Sequence, residues 1–282
     1  AMFGGFYSVP LYALIQSRSQ PSHRARIIAA NNILNSLFMI VSALMAVGLT
    51  AAGFSIPAIF LVTALLNIVV ATYIYSLVPE FLLRFIAWLL VHTFYRIRLV
   101  HAERIPEEGA AVLVCNHVSF VDAVVIMAES PRPIRFVMDH HIFRTPFAGW
   151  VFRHAKAIPI APAHEDAQLL TRAYERCAEA LAEGELVCIF PEGKLTRTGE
   201  MNPFRHGVTE IIRRTPAPVI PMALRGLWGS VFSRANDARW PRPVQKGVMS
   251  RLTLAVGEPI EPALATPELL QKTVTELRGA RK

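Results

Sequence analysis

The chain has 282 residues, of which 53% are hydrophobic and 18% are charged, and its formal net charge is +8. Its mean hydropathy of +0.37 is too high for an ordinary cytosolic enzyme. The positive charge favours an anionic lipid surface or phosphorylated substrates as partners, and no nucleic-acid-binding motif is visible.

Two apolar segments, Ile33–Phe54 and Ile56–Val78, are each long enough to cross a bilayer core of roughly 20 helical residues. No Lys or Arg occurs from Ile27 to Leu83. Because only a few residues join the segments, they are predicted to form a transmembrane helical hairpin. Two buried core helices are the alternative.

Arginines stand on both sides of this hairpin. Three precede it and three follow it, at positions Arg18, Arg24, Arg26, Arg84, Arg96 and Arg98. By the positive-inside rule both ends face the cytoplasm, so the remainder of the chain is expected on the cytoplasmic face of a membrane.

The first residues, AMFGGFYSVPLYALI, are typical of the end of another apolar helix, which suggests a piece of a longer chain. The stretch VPLYALIQSRSQPSHRARIIAANNILNSLFMIV resembles the last helices of major facilitator superfamily transporters, in particular lysophospholipid transporters. This resemblance covers roughly residues 1–78, and such a remnant is not expected to transport alone.

Phe81–Leu99 combines basic residues on one side with apolar ones, which predicts an amphipathic helix in the membrane interface. A core helix of the next domain is the alternative. The predicted organisation is therefore 1–80 transmembrane helices, 81–100 interfacial helix and 101–282 a separate domain.

From about residue 101 the pattern alternates between strands and helices, which predicts an α/β layered domain. Thr266 and Pro267 are predicted as the N-cap and first residue of the last helix, and Gly184 as the end of a helix over Glu165–Glu183. The predicted strands cover 110–115, 155–160, 185–190, 218–224 and 251–256.

The stretch CNHVSFVD follows the first of these strands and contains His117 and Asp122. In one continuous helix these side chains would point about 140° apart, but they can meet if His117 lies in a turn and Asp122 in the first helical turn. Ser119 would then be the N-cap, and Ser119 with Asp122 would form a variant capping box. That structural interpretation does not explain Asn116 and His117 at a strand's carboxyl end, where α/β sheets bind ligands.

A second motif follows the strand ELVCIF. The strand ends in Phe190, Pro191, Glu192 and Gly193. Because glycine has no side chain, the backbone at Gly193 can approach a ligand closely. Positive charge follows at Lys194, Arg197, Arg205 and His206. Each basic residue alone is more typical of a solvated loop.

NHVSFVD and FPEG resemble the first and third signature blocks of the glycerolipid acyltransferases, which include the 1-acylglycerol-3-phosphate acyltransferases, and VIPMAL resembles the fourth. The likeness covers about residues 85–260. It is strongest to the acyltransferase part of bifunctional acyl-ACP synthetase/2-acylglycerophosphoethanolamine acyltransferases. Where many members have an Asp-Arg pair in the second block, this chain has Ile160-Ala161-Pro162, so Arg153 or Lys156 is a candidate replacement for the phosphate contact.

The resemblance implies a layered acyltransferase domain with a central mixed sheet, in the bacterial inner membrane. It implies transfer of an acyl group from acyl-CoA or acyl carrier protein to a lysophospholipid hydroxyl, with no further cofactor. His117 would be the general base and Asp122 its orienting partner. The implied substrate-binding residues are Asn116, Ser119, Phe190, Pro191, Glu192, Gly193, Lys194 and Arg197.

Three other functions are weaker. A serine hydrolase using Ser119 or Ser230 lacks a G-x-S-x-G elbow. A metal site at Cys115 and His117, or at His140 and His141, lacks a convincing ligand set, so no metal is predicted. A transporter fragment with a non-catalytic lipid-binding domain is the non-enzymatic alternative.

The three cysteines, Cys115, Cys177 and Cys188, have no metal-ligand spacing. Cys115 and Cys188 lie in apolar runs and are predicted as core thiols, which favours a reducing compartment.

Overall fold

A computed structural model describes residues 12, 15, 19–20, 22–77, 79–229 and 250–279. The chain divides into two compact units, Ala1–Ile74 and Tyr75–Lys282.

The first unit contains the helix α1, Arg24–Ala51, and most of the helix α2, Ile56–Leu77. Both are long and apolar enough to cross a membrane, and neither has a buried residue in its described part. Large side chains such as Phe38 and Phe60 are 65% and 71% exposed. They are therefore candidate membrane spans, and their packing is not that of core helices.

The helix predicted over Phe81–Leu99 is shorter than expected. The helix α3, Pro79–Phe94, ends where the alternating sequence YRIRLV begins. This sequence forms the strand β1, Tyr95–Val100, which pairs with the strand Ser250–Val256 near the end of the described residues. Leu83, Ala87 and Val91 of α3 are buried at helical spacing, so one side of this helix belongs to the core. Its other side keeps apolar residues exposed, including Trp88 at 43%.

The described residues of the second unit form a mixed sheet, as predicted, and it has seven strands. After β1 these are β2 Ala111–Cys115, β3 Ile134–Asp139, β4 Ile158–Ile160, β5 Leu186–Ile189, β6 Val219–Arg225 and β7 Ser250–Val256. Their order is β1-β7-β6-β2-β5-β3-β4, and all neighbouring strands are parallel except β6 and β7.

Helices cover both faces of the sheet. After α3 these are α4 Asp122–Glu129, α5 Pro146–His154, α6 Ala163–Ala182, α7 Gly207–Arg214 and α8 Pro267–Arg278. One core joins Leu113, Phe136 and Cys188 to α3 and α4, and the other joins Val112 and Val187 to α6, α7 and α8.

Two predicted helix ends are confirmed. Thr266 is the N-cap of α8, and its hydroxyl accepts a hydrogen bond from the backbone of Leu269. Gly184 follows α6 with a φ of 80°, a backbone conformation that glycine adopts without strain. β2 and β5 lie side by side and run parallel, so the segments that follow Cys115 and Ile189 emerge at the same edge of the sheet.

Candidate functional site

His117 and Asp122 meet at the carboxyl end of β2. His117 lies in the turn after the strand, and Asp122 is the first residue of α4. The distance from His117 Nδ1 to Asp122 Oδ2 is 2.9 Å. The Asp122 side chain is fully buried, whereas that of His117 is 23% exposed. The two residues are therefore arranged as the sequence predicted, with the ring open to a ligand and the carboxylate behind it.

Asp122 also holds the turn together. Its Oδ2 accepts hydrogen bonds from the backbone N–H groups of Val118, at 2.7 Å, and Ser119, at 2.9 Å. The bond to Ser119 is one half of the predicted capping box. The predicted N-cap, however, is wrong: the helix begins later than expected, and its N-cap is Val121, without a side-chain capping bond.

The partner of Nδ1 determines which nitrogen of His117 can take a proton. Because an ionised carboxylate oxygen accepts only, Nδ1 carries the hydrogen, and Nε2 of the neutral ring keeps its lone pair. Among the described residues, none makes a hydrogen bond with Nε2. The ring stacks on Phe190, with centroids 4.2 Å apart and an interplanar angle of 18°. The imidazole is thus fixed in orientation and is able to act as a base.

Glu192 fixes the backbone of His117. Its Oε1 accepts from the N–H of His117 at 2.7 Å, and its Oε2 accepts from the backbone and side chain of Asn202, at 2.7 and 2.9 Å. The carbonyl of His117 in turn accepts from the N–H of Thr196 at 3.1 Å. Glu192 is only 1% exposed, and burial raises its pKa.

This arrangement corrects the predicted role of Glu192. A buried carboxylate whose two oxygens are already bonded does not offer a contact to a phosphate. It is a positioning residue for His117. No local pattern in the sequence indicates this role, because Asn202, the second hydrogen-bond partner of Glu192, lies outside the two motifs.

Asn116 and Ser119 also differ from the prediction, since both are fully buried. Asn116 Oδ1 accepts from the N–H of Leu224 at 2.8 Å, and its Nδ2 donates to the carbonyl of Leu224 at 3.1 Å. Its side chain therefore continues the pairing of β2 with β6, in the manner of a backbone peptide. Neither residue presents its side chain to a ligand in solution.

The second motif ends in a basic loop beside the site. Gly193 has a φ of 65°, and a Cβ at this position would lie 3.2 Å from the side chain of Arg205. The N–H of Arg205 donates to the carbonyl of Pro191 at 2.9 Å, which brings the two ends of the loop together. Lys194 and Arg197 are exposed, as is Arg205. Within the described part of the chain, these three side chains form no ion pair and remain open to an anion.

Arg153 and Lys156, the two candidate replacements for the second-block contact, are engaged elsewhere. Arg153 donates to the carbonyl of Phe143 at 2.9 Å, and Lys156 lies 3.5 Å from Glu80. Both line a cleft of about 550 Å³ with residues at the amino ends of β3 and β5. His117 follows the carboxyl end of a parallel strand, so neither basic residue belongs to its site.

Two further predictions concern other chemistry. Ser230, a candidate nucleophile, lies outside the described residues. At the end of β3, Asp139, His140 and His141 bring one donor atom each within 4.8 Å of one another. The distances from Asp139 Oδ1 to the Nδ1 atoms are 3.8 Å for His140 and 2.9 Å for His141. The histidine pair therefore has a third potential ligand, which the sequence prediction did not consider.

Comparison with known proteins gives one consistent family. Residues 96–225 match the family described as Acyltransferase. A 1-acyl-sn-glycerol-3-phosphate acyltransferase of Pseudomonas aeruginosa is 28% identical over 172 residues, which are 61% of this chain and 65% of that protein. Chloroplastic proteins of the same description from Brassica napus and Arabidopsis thaliana are 28% identical over 148 residues.

The chain spans 42% and 41% of the length of those two plant proteins, and the match covers 52% of this chain. The crystal structure of the 1-acyl-sn-glycerophosphate acyltransferase PlsC of Thermotoga maritima has a TM-score of 0.52 to this chain at 20% sequence identity. The similarity covers 64% of this chain and 70% of that one, and it shows a shared fold.

Proposed function

We propose that this chain, whose residues 96–225 match the acyltransferase family, transfers a fatty acyl group from a thioester to the free glycerol hydroxyl of a lysophospholipid. The observation that carries the proposal is the 2.9 Å contact between His117 Nδ1 and the buried Asp122. The names of the relatives favour 1-acyl-sn-glycerol-3-phosphate as the acceptor. Lysophosphatidylethanolamine is the alternative acceptor.

In the proposed reaction, His117 Nε2 takes the proton of the acceptor hydroxyl while its oxygen attacks the thioester carbonyl. The negative charge of Asp122 stabilises the imidazolium that forms. The tetrahedral intermediate then collapses: the C–O ester bond is retained, the C–S bond breaks, and the leaving thiolate receives the proton from the imidazolium. The protein needs no nucleophile of its own, because the acceptor hydroxyl supplies it.

Lys194, Arg197 and Arg205 are the proposed contacts for the acceptor's phosphate. They are exposed, and Glu192, which fixes the backbone of His117, begins the loop that carries them. Cationic side chains make charge-assisted hydrogen bonds with phosphate oxygens, and Arg can do so through two N–H groups at once. The loop would then place the glycerol hydroxyl relative to His117.

A thioester is an activated acyl donor, so the proposed reaction requires no cofactor beyond acyl-CoA or acyl carrier protein as co-substrate. The two candidate membrane spans support a membrane-bound enzyme, whose lysophospholipid acceptor resides in the bilayer. We place the acyltransferase domain on the cytoplasmic face of a bacterial inner membrane, following the arginines that flank the hairpin.

The test is acyl transfer to several lysophospholipids by membranes containing the wild type or His117→Ala. A positioned base contributes about 10²–10⁴-fold, so the variant should lose nearly all activity. Parallel assays with acyl-CoA and with acyl carrier protein identify the donor. A folded His117→Ala protein with near wild-type transfer would contradict the proposal and favour a non-catalytic lipid-binding domain.

A further inference from the structure

The β1 edge of the sheet carries a group of arginines that form no ion pair within the described part of the chain. Arg96 and Arg98 lie on β1, and Arg251 lies on the neighbouring β7, directly opposite Arg96 in the strand register. All three are exposed. Like charges directly opposite each other on neighbouring strands destabilise a sheet, so this placement has a cost that something else must offset.

The three arginines share one face of the sheet. Tyr95 and Ile97 of β1 and Leu252 of β7 face the core formed with α3 and α4. Since side chains alternate along a strand, Arg96, Arg98 and Arg251 point to the opposite face. We call these three residues the arginine face.

Among the described residues, no acidic side chain pairs with the arginine face. The strands β1, β7 and β6 contain no Asp or Glu. Within the described part of the chain, none of the three guanidinium groups forms an ion pair or hydrogen bond. By contrast, Arg104, just beyond β1, is paired with Glu258.

We infer that the arginine face binds the anionic head groups of a phospholipid bilayer. A dense phosphate surface offsets the repulsion between Arg96 and Arg251 and suits the bidentate geometry of Arg. Only residues 78–94 separate the end of a candidate membrane span from β1 in the sequence, so a short connection ties this strand to a bilayer-spanning segment in the proposal. The interaction does not depend on acyl transfer, and it gives Arg96 and Arg98 a binding role beyond setting membrane topology.

The experiment uses the full chain in vesicles of phosphatidylcholine, with or without phosphatidylglycerol. Thr253 lies beside Arg98 in the register, on the same face, so Thr253→Cys carries a fluorophore that lipids with a head-group quencher can report on. The three native cysteines are buried and do not compete for the label. Quenching measures how often the arginine face lies at the lipid surface.

We expect quenching to increase with phosphatidylglycerol and to fall as salt rises, since the Debye length shrinks from about 30 Å at 0.01 M to about 3 Å at 1 M. Arg96→Gln with Arg251→Gln should lower the equilibrium constant for contact between the arginine face and the lipid surface about 25-fold, at roughly fivefold for each basic side chain. Arg172→Gln with Arg176→Gln, which removes the same charge from exposed positions on α6, beside β4 at the opposite edge of the sheet, should have little effect.

Equal quenching in neutral and anionic vesicles would overturn the proposal, as would equal losses in the two double variants. A soluble acidic protein such as acyl carrier protein is the competing partner. If it protects the fluorophore while phosphatidylglycerol has no effect, the arginine face is a protein-binding surface and not a lipid-binding one. Acyl-transfer activity is measured separately, so a failure here leaves the proposed enzyme function untouched.

Discussion

At the scale of single residues, Asp122 both orients the ring of His117 and holds the backbone of the turn before α4. Its Oδ2 accepts from the ring of His117 and from two backbone N–H groups, whereas its Oδ1 is buried without a hydrogen-bond partner among the described residues. In Asp122→Asn, the amide nitrogen faces either three donors or a buried site with no acceptor. Each orientation is unfavourable, and both lose the negative charge.

We therefore expect Asp122→Asn to lower kcat by about 10²–10⁴-fold and stability by about 1–3 kcal/mol. His117→Ala should lower kcat as strongly with little loss of stability, because its ring is partly exposed. If the pair acts as a unit, the double variant should be scarcely less active than His117→Ala. Kinetics and thermal unfolding of all three variants check this, and additive losses of activity would contradict the paired role.

The buried carboxyl group of Glu192 makes the free energy of unfolding depend on pH. Burial raises its pKa above its ordinary value of 4.5, so the folded protein holds this proton over a range in which the unfolded chain has lost it. Over that range the free energy of unfolding falls as pH rises. Glu192→Gln removes this titration and leaves the other groups unchanged.

The stability advantage of the wild type over Glu192→Gln should therefore decrease as pH rises from about 4.5, and then level off above the raised pKa. Thermal unfolding of both proteins across this pH range measures the difference. An advantage that grows with pH would mean that the hydrogen bonds to ionised Glu192 outweigh its burial.

The contact between His117 and Asp122 was predictable from the sequence, whereas the positioning role of Glu192 was not. The spacing of His117 and Asp122 after a strand is a local signal, so their contact can be predicted from the sequence alone. Glu192 is also visible in a motif, yet its partner at His117 lies 75 positions away. No local pattern shows that a carboxylate faces backbone donors rather than a ligand.

At the scale of secondary-structure elements, Asn116 joins two strands. Its side chain satisfies the N–H and the carbonyl of Leu224, both inside the sheet. In Asn116→Ala both groups lose their partner in a buried place, which costs about 1–3 kcal/mol for each.

We expect Asn116→Ala to lower the free energy of unfolding by about 2–6 kcal/mol, and to lower acyl-transfer activity as well. Asn202→Ala is the matched control, since Asn202 is only partly buried and its backbone bond to Glu192 remains. Its loss of stability should be smaller. Equal losses of stability in the two variants would show that the hydrogen bonds of Asn116 between β2 and β6 stabilise the fold no more than the side chain of Asn202 does.

The basic loop between β5 and α7 predicts a change in acceptor binding. Lys194→Glu with Arg197→Glu should raise the KM for the acceptor at least tenfold, with a smaller effect on the donor KM and on kcat, because uniform binding to one substrate is lost. Arg172→Glu with Lys272→Glu controls for the altered net charge. An unchanged acceptor KM in a folded variant would identify the two residues as a solvated loop.

Several elements were predictable and others were not. β2, β5 and β6 are continuous apolar runs, and α6 and α8 have clear periodicity and end signals. The arginines of β1 suit an amphipathic pattern, so the sequence predicts a helix there. Only pairing with β7, about 150 residues later, makes this segment a strand. β3, α5 and α7 are short elements that depend on tertiary contacts for their stability.

At the scale of the whole molecule, the candidate spans predict a membrane topology. Phe54, between the two helices, and Glu103, after β1, are both exposed. A cysteine introduced at position 54 should react with an impermeant reagent from outside the cell, whereas one at position 103 should react only after the membrane is opened. The buried native cysteines give little background. Equal labelling of both positions from one side would contradict the hairpin.

The bond between Asn116 and Leu224 has a consequence for biosynthesis. The ribosome completes the apolar helices and His117 long before it reaches position 224, and β7 and α8 come later still. Until those segments emerge and join the sheet, the end of β2 lacks the partner strand that holds the histidine turn. We therefore expect a nascent chain that ends before position 224 to lack acyl-transfer activity, and activity to require the synthesis of β6, β7 and α8.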